Sequence, residues 1–111
     1  MDDQQARELL ARERTRILEE ARALGLETSD DLSTTDLADS ASDLYQQEFD
    51  ESRLEQLREQ LAALERAEQR LADGQYGRSV ESGEPIPDAR LEAVPTAERT
   101  ITEQERYDAG H

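Results

Sequence analysis

The chain has no cysteine, no lysine and no tryptophan, and its one histidine, His111, is the last residue. Each absence removes a class of protein. Without cysteine there is no disulfide and no thiolate metal site, the two staples on which small folds with thin cores most often depend. Without an internal histidine, a cysteine or a Gly-rich phosphate loop, the residues supply no nucleophile–base pair and no nucleotide cradle, so no enzyme chemistry is expected. Positive charge is scarce. Thirteen basic residues, all Arg, stand against 28 acidic ones, for a net charge of −15. That balance argues against gripping nucleic acid through its phosphates and predicts no sequence-specific nucleic acid binding. Long apolar runs are missing too, which predicts no membrane partner, no signal peptide and a cytoplasmic protein. With 34% apolar residues and 4% aromatics, a large core is not expected, and the chain is expected to be elongated, helical or partly disordered.

What is present is helix. Residues 4–24, QQARELLARERTRILEEARAL, contain no Gly or Pro, and Leu10, Ile17 and Leu24 recur every seven residues beside Ala6 and Ala21. This is an apolar stripe on a charged rod, with Gly25 as its C-terminal stop. Its Arg and Glu residues read as a solvated face with local ion pairs. Residues 25–40, GLETSDDLSTTDLADS, are rich in Ser, Thr and Asp, which favour turns and caps over helix interiors. Residues 41–73 resume the helical pattern, with Leu54, Leu57, Leu61, Leu64 and Leu71 on the a and d positions of a heptad, and Gly74 closes it. Two apolar seams joined by a polar loop predict an antiparallel helical hairpin, 1–74, with an acidic tip at about 27–41.

Residues 75–111 are punctuated differently. DGQYG is a turn signal, and Gly83, Pro85 and Pro87 bracket an irregular or extended piece. Asp88 is a candidate cap for a brief helix, ARLEAV, which Pro95 follows, and TITEQERYDA reads as a final helix that ends near Gly110. Tyr76, Val80, Ile86, Leu91, Val94, Ile101 and Tyr107 are the apolar residues available to pack this segment on Leu64 and Leu71.

ALERAEQRLADGQYG followed by SGEPIPDARLEAVPTAERT resembles the TraR/DksA family of bacterial transcription regulators. The knuckle frame of that family reads DGxYGxCxxCGExIPxxRLEAxPxAxxCxxC. In this chain Gly77, Gly83, Glu84, Ile86, Arg90, Leu91, Glu92, Ala93 and Pro95 match the fixed letters of the frame, and Pro85 stands at an open position within it. Ser79 and Ser82 stand at the first cysteine pair, and Thr100 and Glu103 at the second. A second match is Asp36-Leu37-Ala38-Asp39-Ser40-Ala41, which fits the D-x-x-D-x-A found at the coiled-coil tip of DksA-type members. The resemblance spans roughly residues 30–105.

The resemblance implies a mainly α fold: a coiled-coil hairpin followed by a small zinc-ribbon-like segment, here without metal, ending in a short helix. It also implies a partner. Such proteins bind RNA polymerase at its secondary channel, hold the rim with the globular end, and bring the acidic tip near the catalytic centre to alter initiation. On that reading Asp36, Asp39 and Ala41 are the tip effectors. The plainer reading of the same residues is that Asp39 caps the second helix and Asp36 keeps the loop soluble. Arg90 is a candidate contact to the polymerase rim, or a partner of Glu84. Basic groups are missing at Ala63, Val94 and Gln104, where the resemblance places an alarmone site, so direct ppGpp binding is not expected.

Zinc in such knuckles takes four Cys or His ligands, and three hydroxyls with one carboxylate do not make that set. No metal and no other cofactor are therefore expected. Structural zinc contributes roughly 10–16 kcal/mol in small peptides, so other contacts must hold the segment. Thr100-Ile101-Thr102-Glu103 has capping-box spacing, and Thr102 with Glu105 offers a second register. The competing functional class is a structural or interaction module of the same fold that has lost polymerase control and binds another protein or itself.

Overall fold

The computed structural model describes residues 1–25 and 51–110. Among these it is mainly α, with four helices: α1 (Asp3–Ala23), α2 (Glu51–Ala72), α3 (Asp88–Ala93) and α4 (Ile101–Ala109). The chain groups into two compact units, one of Met1–Ala11 with Arg66–His111 and one of Arg12–Glu65.

In the Arg12–Glu65 unit, the seam expected from the heptad pattern is buried. Ile17 and Ala21 of α1 and Leu54, Leu57, Leu61 and Leu64 of α2 are each at most 3% exposed. Fully burying one Leu or Ile side chain is worth roughly 1.5–3 kcal/mol, so these few residues carry most of the apolar stabilisation among the unit's described residues. The polar contacts beside the seam fix its direction. Arg16 Nη2 donates to Gln60 Oε1 at 3.0 Å, and Arg53 pairs with Glu20. As the numbering rises along α1 it falls along α2, so the helices pack antiparallel. Leu24 lies past the end of α1, where its N–H donates to the Ala21 carbonyl, and it is only half-buried.

In the other unit, Ala6, Leu9 and Leu10 of α1 and Ala67 of α2 are buried. Ile86, Leu91 and Ala97 form an apolar cluster, with Tyr76 packed against it. The N-terminal ammonium group pairs with Asp88 at 3.1 Å. The sequence expectation places Val80, Val94, Ile101 and Tyr107 in this core, but they are 39–56% exposed. The reason lies in the segment's construction: backbone hydrogen bonds order it, and only two large apolar side chains, Ile86 and Leu91, close over its centre. Leu71 is half-buried. Asp88 is the first residue of α3 and not its cap; Pro87 occupies the cap position, with no side-chain bond to the helix.

Candidate functional site

The site begins with a tight knuckle turn after α2. The Ile86 N–H donates to the Gly77 carbonyl at 2.7 Å, the Ser79 N–H to the Glu84 carbonyl at 2.8 Å, and the Gly83 N–H back to the Ser79 carbonyl at 3.0 Å. The loop needs left-handed backbone at Gly77 (φ 85°) and Gly83 (φ 76°), which only Gly adopts without cost. At Gly77 a Cβ would also meet Leu91 Cδ1 at 3.5 Å, so the turn lies close against the apolar cluster.

The Ser79 side chain is buried within this turn. Its Oγ accepts from the Glu81 N–H at 3.1 Å and from the Ser82 N–H at 3.3 Å. Ser82 Oγ, on the exposed side, accepts from the Glu84 N–H at 3.2 Å. The second half of the segment approaches through Glu98, whose carbonyl accepts from the Val80 N–H at 2.9 Å. Thr100 then caps α4. Its Oγ1 accepts from the Glu103 N–H at 3.3 Å, and the Glu103 carboxylate accepts from the Thr100 N–H at 2.9 Å. Of the two capping registers open to the sequence, the structure adopts this one.

Glu103 is buried, at 5% exposed. Hydrogen bonds from the Ser79 hydroxyl, the Thr100 backbone N–H and the Ser82 hydroxyl hold its carboxyl at about 2. The structure thus brings Ser79, Ser82, Thr100 and Glu103 together. Their chemistry does not suit zinc. The three hydroxyl oxygens already accept backbone N–H groups, and the one anionic group accepts from its neighbours, where a zinc site would need several thiolates or imidazoles facing inward. Among the described residues no group of three or more His, Cys, Asp or Glu is placed to hold a metal ion.

Around this centre lies a shell of arginines, of which motif reading singled out only Arg90. Arg66 of α2 grips Glu98 with two bonds, at 2.9 and 3.2 Å, and Arg70 Nη1 adds a third at 3.2 Å. Burial pushes the Glu98 carboxyl up, but the Arg66 hydrogen bond and the charges of Arg66, Arg70 and Arg99 outweigh it, so Glu98 ends below the usual range. Arg99 lies 3.4 Å from Glu81 and stacks over the Tyr107 ring at 3.9 Å. The Tyr76 hydroxyl donates to the Pro95 carbonyl at 2.7 Å, and burial raises its pKa. Arg90 is half-buried and donates from Nε to the Arg99 carbonyl at 2.8 Å, so it braces α3 against the loop before α4. The available sequence signal was the spacing of Arg66 and Arg70, one helical turn apart, which presents two cations to one carboxylate. Asp36, Asp39 and Ala41 lie outside the described residues.

Residues 80–109 match the family model for the prokaryotic dksA/traR C4-type zinc finger. Over 73 residues the chain is 40% identical to the RNA polymerase-binding transcription factor DksA of two Caulobacter vibrioides strains, an alignment that covers 66% of this chain and 51% of theirs. The chain thus spans about half the length of those relatives. Among solved structures it is similar to transcription factor DksA2 from Pseudomonas aeruginosa, with 33% identity, 96% of this chain and 76% of that one covered, and a TM-score of 0.49. It is also similar to the RNA polymerase binding protein and transcriptional regulator Dks from Chlamydia trachomatis, with 27% identity, coverage of 93% and 91%, and a TM-score of 0.47. The knuckle frame, the family match over its C-terminal part and the identity to DksA together identify the chain: it belongs to the TraR/DksA family, as a member without a single cysteine.

Proposed function

We propose that this protein is a transcription regulator that binds RNA polymerase at the secondary channel, acts by binding and not by catalysis, and works without zinc. The observation that carries this reading is the 40% identity to proteins named as RNA polymerase-binding transcription factors. In this proposal the parts divide the labour. The hairpin, 1–74, carries an acidic tip, in which Asp36, Asp39 and Ala41 approach the polymerase's catalytic centre. The knuckle segment, 75–111, rests on the channel rim with Arg90 near the contact. A net charge of −15 suits a protein that meets polymerase and leaves DNA phosphates to others. Direct ppGpp binding has no place in it, since Ala63, Val94 and Gln104 offer no positive charge.

The test is equilibrium binding of the full chain to core RNA polymerase from its own host, paired with transcription on a responsive promoter. Wild type binds and shifts the output. The double variant Asp36→Asn, Asp39→Asn keeps its affinity and loses the effect on transcription. Absence of binding to core polymerase overturns the proposal in favour of an interaction module with another partner. A tip variant as active as wild type overturns the role given to the two aspartates.

A further inference from the structure

In a C4 zinc finger the metal cross-links the two halves of the knuckle through four side chains. Here cross-links converge on two consecutive residues outside the former ligand positions, Glu98 and Arg99, just before Thr100. The Glu98 carboxylate accepts from Arg66 at 2.9 and 3.2 Å and from Arg70 at 3.2 Å, which ties it to the end of α2. The carbonyl of the same residue accepts from the Val80 N–H at 2.9 Å, which ties it to the first half of the knuckle. Arg99 extends the pattern. Its side chain lies 3.4 Å from Glu81 of the first half and 3.9 Å over the Tyr107 ring of α4. Its carbonyl accepts from Arg90 Nε of α3 at 2.8 Å. Two neighbouring residues thus meet α2, α3, α4 and the first half.

Burial makes these contacts matter. The side chains of Arg70, Glu98 and Arg99 are mostly buried. Arg70 Nε and Nη2 and Arg99 Nε are buried with no hydrogen-bond partner among the described residues, so each cation depends on the carboxylate beside it to offset its lost hydration. Ala97, the residue before Glu98, lies in the apolar cluster with Ile86 and Leu91 and anchors the same stretch from the inside.

We propose that Glu98 and Arg99 form a strap that takes over the cross-linking role of a metal, with Glu98 relaying the hold of α2 to the first half of the knuckle. The arginines of α2 grip its side chain, and its main chain holds Val80. A carboxylate fixed by three hydrogen bonds removes the side-chain freedom that would let the attached backbone drift from Val80. Arg99 adds a second tie to the same half through Glu81. This inference is independent of the polymerase reading, because it concerns how the segment is held and not what it binds.

The discriminating substitutions lie on α2, away from the bond they are expected to affect. Arg66→Gln with Arg70→Gln leaves every residue of the knuckle in place. Amide hydrogen exchange on the full chain reads the Val80 N–H, whose acceptor is the Glu98 carbonyl. Exchange at Val80 is expected to rise about tenfold, as for the loss of a partly buried charge network, while Leu57 and Leu61 keep their protection. Unchanged exchange at Val80 overturns the relay. Should the double variant fray the end of α2, Glu98→Gln supplies the second reading, because it leaves α2 intact; Val80 exchange rises there too, and an unchanged rate overturns the proposal. Combining Glu98→Gln with the two arginine changes adds little, since both cut one path, whereas full additivity would show that α2 and Glu98 act on Val80 separately and overturns the relay. Arg99→Gln reads the other tie. It is expected to raise exchange at Val80 as well, and a wild-type rate there overturns the place of Arg99 in the strap.

Discussion

Arg66 and Arg70 are one turn apart on α2, and both reach Glu98, which lies 32 and 28 residues further along the chain. Arg66 is 55% exposed, whereas the Arg70 side chain is 15% exposed and Glu98 21%. Arg70 Nε and Nη2 are buried with no hydrogen-bond partner among the described residues, which leaves its Glu98 bond as compensation for desolvating the cation. Glu98→Gln keeps the shape and removes the charge. Exposed pairs are worth roughly 0–1 kcal/mol, and breaking a fully buried one costs roughly 3–5. This pair lies between, so a loss of about 1–2 kcal/mol is expected, read as a lower urea midpoint at unchanged slope. A midpoint equal to wild type would mean that the pair is solvated and idle. The two arginines could be read from sequence as a pair of cations on one face. Their partner could not, because Glu98 is one of many acids and nothing local ties it to α2. Glu103 differs: its capping distance from Thr100 was readable, and the knuckle frame, which puts Ser79, Ser82, Thr100 and Glu103 at the ligand positions of one metal, already set it near Ser79 and Ser82.

At the scale of elements, two kinds of order coexist. The α2 seam is periodic and apolar, so its core was legible residue by residue: Leu54, Leu57, Leu61 and Leu64 all point inward. Leu61→Ala removes a side chain that is 2% exposed and is expected to cost about 2–5 kcal/mol, seen as a lower thermal midpoint. The knuckle segment has no period. Its apolar residues look alike in sequence, yet Ile86 and Leu91 are buried while Ile101 is 56% exposed. Ile101→Ser is therefore expected to change stability by no more than about 0.5 kcal/mol, as exposed sites usually do. Melting curves of the two variants side by side decide the point, and a collapse of the Ile101→Ser protein would return that residue to the core. What the sequence hid here is physical. Turns at Gly77 and Gly83 and a ladder of backbone bonds set the shape, and they decide exposure before apolarity does.

For the whole molecule the governing quantity is charge. At −15 the chain repels itself at pH 7, so mild acidification relieves repulsion and is stabilising at first. Ionisation of Glu103 acts in the opposite sense. Glu103 has its folded pKa lowered from 4.5 to about 2, so its contribution is fully present above the unfolded value and is lost as the pH falls toward 2. Glu98, lowered by its arginines, works in the same direction. A pH profile of wild type alone mixes these effects with the titration of every other carboxylate. Subtracting the profile of Glu103→Gln cancels what the two proteins share. The stability difference, read by hydrogen exchange at Leu91 with the intrinsic rate corrected for pH, is expected to be constant above about pH 4.5 and to close progressively toward pH 2. A gap that stays open at pH 2, or widens on acidification, would show that Gln disturbs the knuckle by its shape and that the charge of Glu103 is not what holds it. A gap that closes on this schedule would make ionisation of one buried glutamate the condition for order in the segment where relatives of the C4 type use a metal.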